Sequence, residues 1–142
     1  MNVKMNILPY KRTALYYETD QMGIIHHSNY IRWFEEARLD FMKQIGLSYK
    51  EVEDKGLLIP VLSAQCQYRK AVRYDETVYI YTKITDFKGV KFSFAYKVMD
   101  ENNQVVKAEG TSSHCFTDKE LKPVWIKKKE PEIFQIFEAF ND

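Results

Sequence analysis

Residues 19–46 read "TDQMGIIHHSNYIRWFEEARLDFMKQIG", and the hydrophobic period changes inside this stretch. From Ser28 onward, Tyr30, Phe34, Ala37, Phe41 and Ile45 fall at i, i+4, i+7, i+11 and i+15, one helical stripe about four turns long. Arg32, Glu35, Glu36, Lys43 and Gln44 occupy the other faces. Ser28 is the expected N-cap, because a serine hydroxyl can accept a hydrogen bond from an orphan N–H of the first turn. Gly46 suits the position after the helix, since it tolerates positive φ.

The segments around this helix read differently. Upstream, "LPYKRTALYYETD" is rich in β-branched and aromatic residues and predicts a first strand over residues 10–18. Downstream, "SYKEVEDKG" predicts a short second helix, with Ser48 as its cap and Gly56 as its stop. Strands follow. Leu62, Ala64, Cys66 and Tyr68 alternate with polar residues; Val78, Ile80 and Ile84 share a face; Val90, Phe92, Phe94, Tyr96 and Val98 alternate with Lys91, Ser93, Ala95 and Lys97. "DENNQ" makes a hairpin turn into a last strand over residues 105–116. One face of that strand carries Val106, Ala108, Gly110, Ser112, His114 and Phe116, several of them small enough for a helix to approach closely. "PEIFQIFEAF" predicts a short terminal helix starting at Pro131, and "KKK" at 127–129 reads as a solvated turn before it.

One amphipathic helix followed by a run of antiparallel strands is a two-layer α+β arrangement. Such a unit leaves a sheet face and sheet edges uncovered, and edge pairing between two copies is the economical remedy. The length of 142 residues fits one domain spanning 1–142. Hydrophobic residues at 45% and charged residues at 29% are enough for a core with a solvated surface. Twenty-one Lys and Arg against 20 Asp and Glu leave a net charge of +1, which gives no global attraction to nucleic acid. No run approaches the ~20 apolar residues of a membrane span, and the start shows no signal-peptide pattern. Two cysteines, Cys66 and Cys115, without a secretory signal are expected to be reduced thiols in a cytoplasmic protein. They form no zinc motif, and neither sits in a Cys–His nucleophile pattern.

The chemistry-bearing residues cluster before the helix. Asp20 could simply end a strand, Gly23 could be an ordinary turn glycine, and the adjacent His26 and His27 should point in different directions on a regular backbone. Taken together they allow more. A helix N-terminus presents unpaired N–H groups and partial positive charge, which can stabilise an oxyanion. A carboxylate folded back toward it, or supplied by a neighbouring subunit, can attack a carbonyl or activate water. This combination suits acyl transfer to water.

The stretch "YYETDQMGIIHHSNYIRWFEEAR", residues 16–38, resembles the signature of the hotdog-fold acyl-CoA thioesterases, in the 4-hydroxybenzoyl-CoA thioesterase-like and YbgC-like group. The matching elements are the aromatic strand, Thr19-Asp20, Gly23, His27, Asn29-Tyr30, and a helix with Phe34, Glu35 and Ala37-Arg38. The resemblance implies a long central helix wrapped by a five-stranded antiparallel sheet, with the site at a dimer interface. It implies that Asp20 is the catalytic nucleophile or general base, that the N–H at His27 faces the thioester carbonyl, and that Gly23, Asn29 and Tyr30 support the loop. It implies an acyl-CoA substrate, no cofactor, no metal, and a homodimer or homotetramer. Gln21-Met22 stand where small residues are frequent in the family, which bears on the acyl pocket. Basic residues near Lys88 and Lys91 are implied for the CoA phosphates, against the plainer reading of solvated lysines; Arg69, Lys70 and Arg73 form a second basic cluster. An acyl-carrier-protein thioesterase and a non-catalytic acyl-CoA-binding subunit are the alternatives on the same fold.

Overall fold

The structure, a computed structural model, describes residues 6–142; the first residues of the stretch read for a leader lie outside it. Five strands form one antiparallel sheet: β1 (Tyr10–Thr13), β2 (Val61–Tyr68), β3 (Thr77–Thr85), β4 (Lys91–Asp100) and β5 (Val106–Cys115), in the spatial order β1-β3-β4-β5-β2. Helix α1 (Ser28–Gln44) packs across one face of it. Helix α2 (Tyr49–Asp54) follows directly, with the Ser48 hydroxyl accepting from the Glu51 N–H at 3.2 Å. Gly46 and Gly56, both at positive φ, close the two helices as their sequence positions predict.

The helix stripe and the strand alternation meet in the core. Tyr30, Phe34, Ala37 and Phe41 are buried against Val78, Ile80 and Ile84 of β3 and Phe92, Phe94, Tyr96 and Val98 of β4. The buried face of α1 is wider than the stripe alone, because Trp33, Arg38 and Met42 are covered too. The small face of β5 matters most at Gly110: a Cβ there would overlap the Phe34 ring and the Gln65 carbonyl oxygen. The terminal helix α4 (Pro131–Phe140) buries Ile133 and Phe137 in an aromatic cluster with Phe87, Phe92 and Phe116, at the sheet end where β3 finishes and β4 begins.

Three sequence expectations need correction. The first strand stops at Thr13: Ala14 still bonds to Glu76 and Asp75, but the chain then turns into a 3₁₀ turn, Tyr16–Glu18, that leaves Tyr16 and Tyr17 exposed. Ser28 is not the cap. His27 holds that position with helical φ and ψ, and the Ser28 N–H is taken by His26 Nδ1 at 3.2 Å. The lysines at 127–129 lie in a helical turn, α3 (Ile126–Lys129), where Lys127 reaches over the Phe134 ring at 5.4 Å.

A buried polar chain crosses the core beneath α1. Arg38 donates to Tyr49 Oη at 3.0 Å and to Tyr96 Oη at 2.9 Å; Tyr96 Oη lies 2.6 Å from Ser112 Oγ, which lies 2.7 Å from His114 Nε2. His114 is fully buried, and burial together with the Arg38 charge pulls its pKa down to about 4. The folded state therefore resists a proton that the unfolded chain accepts near 6.5. Between those values the unfolded chain binds more protons, so stability from this residue is complete above about pH 6.5 and is lost as pH falls toward 4. The difference corresponds to about 3 kcal/mol. Urea melts at pH 4.5 and pH 7 should show a steeper acid loss for the wild type than for His114→Gln. Equal acid losses in the two proteins would contradict this assignment.

Candidate active site

The segment joining the 3₁₀ turn to α1 folds back on itself. Thr19 bridges to Ile25, Asp20 N–H bonds to the Ile24 carbonyl at 2.9 Å, and Gly23 N–H bonds to the Asp20 carbonyl at 3.0 Å. Gly23 makes the reversal at φ +78, a conformation that L side chains rarely adopt; there is open space where its Cβ would be, so the backbone and not crowding calls for glycine. Asp20 Oδ1 accepts from the Met22 N–H at 2.8 Å, which fixes the direction of a half-exposed carboxylate. Ile25 is buried and bonds to the Val72 carbonyl at 2.8 Å, pinning the returning limb to the body of the protein.

The helix start is then accounted for bond by bond. His26 Nδ1 takes the Ser28 N–H and sits 2.9 Å from Ser28 Oγ, and the His26 carbonyl takes the Asn29 N–H. The His27 carbonyl takes the Tyr30 N–H at 3.3 Å. The His26 N–H bonds to the Glu18 carbonyl. Among the described residues, the His27 N–H has no acceptor. It stands at the positive end of a 17-residue helix, where an anion or developing oxyanion is favoured.

Asp20 and His27 line one cleft of about 210 Å³, together with Met22, Ile24, Ile25, Tyr30, Tyr68 and the basic turn Arg69–Lys70. Tyr30 is buried and its hydroxyl is pushed up to about 12 by that burial, so it is a donor and not a base. Asn29 is buried and donates to the Glu18 carbonyl at 2.9 Å. The two histidine rings, expected to diverge, instead lie 4.1 Å apart at a 30° tilt, because the chain between them is entering the helix. Tyr68 is a wall of the site that sequence reasoning missed. Its hydroxyl donates to the His27 carbonyl at 3.2 Å, and its ring edge meets Tyr30. Alternation placed it at the end of a strand; only the fold carries that strand end to the helix start.

Lys88 and Lys91 are exposed and lie elsewhere in the same chain. Lys91 pairs with Cys115 at the sheet end where β2 begins, whereas Tyr68 ends β2, about 20 Å away at ~3.3 Å per residue. Of the second basic cluster, Arg69 is engaged by Glu109 at 3.1 Å, and Lys70 lines the cleft. Cys66 is pushed up to about 11 by burial and Cys115 is also raised by burial, so neither is a ready thiolate. A larger hollow of about 870 Å³ spreads over the outer face of the sheet, lined by Tyr81, Lys83, Lys97 and Thr111 among others. It carries no carboxylate at a helix start.

A five-stranded antiparallel sheet packed on one long helix, with a carboxylate beside the helix start, defines the hotdog class of thioesterase fold. Residues 15–134 match the family model described as the thioesterase-like superfamily, and the chain belongs to that family. It is 38% identical over 126 residues to an Aquifex aeolicus (strain VF5) protein provisionally named an esterase, covering 89% of this chain and 96% of that one. It is 37% identical over 124 residues to a Bacillus subtilis (strain 168) protein provisionally named acyl-CoA thioesterase YneP, covering 87% and 89%. Among solved structures, the DHNA-CoA thioesterase of Staphylococcus aureus superposes with a TM-score of 0.86 at 28% identity, covering 91% of this chain and 87% of that one.

Proposed function

We propose that this protein is an acyl-CoA thioesterase that hydrolyses an acyl-CoA thioester to the free acid and CoA, using Asp20 and the His27 N–H. The observation that carries this reading is the pairing, in one cleft, of the Asp20 carboxylate with the one N–H of the helix start that lacks an acceptor among the described residues. The thioester carbonyl oxygen binds at that N–H. Asp20 either removes a proton from the attacking water or attacks the carbonyl carbon itself. In both routes negative charge gathers on the carbonyl oxygen, where the helix start is already oriented to receive it. The carbon–sulfur bond then breaks and CoA departs as a thiolate, which needs little help from an acid. In the nucleophilic route a water afterwards cleaves the acyl–Asp20 anhydride and restores the carboxylate. Gly23, Asn29 and Tyr30 hold the loop and the first helical turn in register. The names of the relatives support the CoA thioester as substrate; a thioester on an acyl carrier protein would undergo the same steps.

The working unit is a homo-oligomer built through β2. Among the described residues that strand pairs only with β5, which leaves its outer edge open over eight residues, and Val61 and Leu62 on it are half exposed. Such an edge invites pairing with a second copy. Antiparallel self-pairing lays the Val61 end of one β2 beside the Tyr68 end of the other. Lys88 and Lys91 of one copy then come to the side of the cleft in the second, where CoA phosphates need cations. Light scattering should give a mass of two chains or a multiple of two, and a stable, fully active monomer would contradict the shared site.

The catalytic assignment is tested by thiol release on a panel of aliphatic and aromatic acyl-CoAs, with carrier-protein thioesters alongside. Asp20→Asn keeps the size of the side chain and should lower kcat by about 10²–10⁴ while the protein stays folded. Proline at position 27 deletes the N–H, and φ −57 there already fits its ring. His27→Pro should therefore lose about 10²–10³ in kcat, the usual cost of an oxyanion donor. His27→Ala keeps the N–H and should be much milder. Wild-type turnover in folded Asp20→Asn would sink the mechanism.

A further inference from the structure

We propose that Glu18 is the positioning residue of this site: one buried carboxylate that sets the placement of Asp20 and of the His27 N–H together. This rests on the reading of Asp20 and His27 given above, and it assigns Glu18 no contact with substrate.

Glu18 is 3% exposed, and its carboxylate accepts from donors on β1, on α1 and at the cap of its own 3₁₀ turn. Arg12 on β1 donates to both oxygens, at 2.7 Å and 3.1 Å. Trp33 on α1 donates from Nε1 at 2.9 Å, and the Leu15 N–H donates at 2.8 Å. The main-chain carbonyl of the same residue takes the His26 N–H at 2.8 Å and Asn29 Nδ2 at 2.9 Å. Charge-assisted bonds of this kind are short and hold a fixed geometry.

The arrangement around the loop gives these bonds their consequence. Asp20 follows Glu18 by two residues, and the Thr19–Ile25 bridge lies between them and the returning limb. The His26 N–H, one residue before the oxyanion donor, hangs on the Glu18 carbonyl. Both ends of the reactive loop are thus referred to a single residue, and that residue is locked to β1 and to the second turn of α1. Releasing the carboxylate lets the 3₁₀ turn move relative to α1, and a displacement of about 1 Å at a reacting group can cost about 10²-fold in rate. Arg12 has a second partner, Glu36, at 2.8 Å. Glu36 touches the same arginine but makes no bond to the loop, so it separates loss of an ion pair from loss of positioning.

The experiment compares Glu18→Gln with Glu36→Gln in thiol release, well below both melting temperatures. Glutamine keeps the size, but puts an amide NH₂ in place of one carboxylate oxygen, against an Arg12 donor and either the Trp33 or the Leu15 N–H. Glu18→Gln should lower kcat by about 10- to 100-fold with KM changed less than about threefold; Glu36→Gln should keep kcat within about twofold. If Glu18→Gln does not fold, Trp33→Phe decides: it removes the indole N–H bond to Glu18 and some buried ring volume, so it is read beside Met42→Leu, an equally buried α1 change that leaves Glu18 untouched; a several-fold fall in kcat is expected for Trp33→Phe alone. A second readout needs no turnover. Hydrogen exchange at the His26 amide should quicken at least about tenfold in the folded Glu18 or Trp33 variant relative to amides in β4, because its acceptor is no longer held. Unchanged kcat and unchanged His26 exchange in a folded variant would overturn the proposal. If the wild type cleaves no thioester, the functional reading fails, and the exchange comparison still decides whether Glu18 holds the loop.

Discussion

The contact between Phe34 and the backbone of β5 at Gly110 fixes how closely α1 can lie on the sheet. No other residue fits at 110, because the space a Cβ would need is filled by the Phe34 ring and by the neighbouring strand's carbonyl. The ring also stacks on Tyr96 at 4.3 Å, so it is held from the β4 side as well. With the helix seated this low, Trp33 and Met42 are wholly enclosed, and each large side chain so buried contributes about 1.5–3 kcal/mol. The same seating decides where the N-terminus of the helix emerges: at the end of β2, beside Tyr68.

From that anchor the loop from Thr19 to His27 is held by hydrogen bonds and by one buried apolar side chain, Ile25. Buried donors at a helix start must find acceptors or forfeit stability. Among the described residues, a histidine ring, two carbonyls of the loop and the Glu18 carbonyl accept from all but one of the N–H groups from 26 to 30. The remaining one belongs to His27, which lines the same cleft as Asp20. A site of this kind needs no rare residue. It needs a turn that only glycine makes easily and a loop held firmly enough to leave one donor unspent.

The elements governed by period were readable from the sequence. The α1 stripe, the alternation of β3 and β4, the small face of β5 and the caps at Ser48, Gly46 and Gly56 all stand where spacing and turn chemistry put them. The family signature around Asp20 also led to the fold and family. What was not readable depended on partners distant in the chain. Serine at 28 looks like a cap until His26 is seen folding over it. The stretch through Glu18 looks like strand until the sheet runs out of a partner after Ala14. Tyr68 and Glu18 carry no local signal at all, since one is a strand-end aromatic and the other an acidic residue beside a turn. Their importance comes from what the fold brings to them: the start of α1 for Tyr68, and Arg12 and Trp33 for Glu18.

The proposed mechanism depends on where a thioester carbonyl sits. The most direct measurement is a crystal structure of the Asp20→Asn variant with a non-hydrolysable acyl-CoA analogue. Under that mechanism the carbonyl oxygen should lie about 3 Å from the His27 nitrogen, with the carbonyl carbon facing the side chain at position 20. An analogue bound with its carbonyl elsewhere, on the outer face of the sheet or turned away from the helix start, would contradict it.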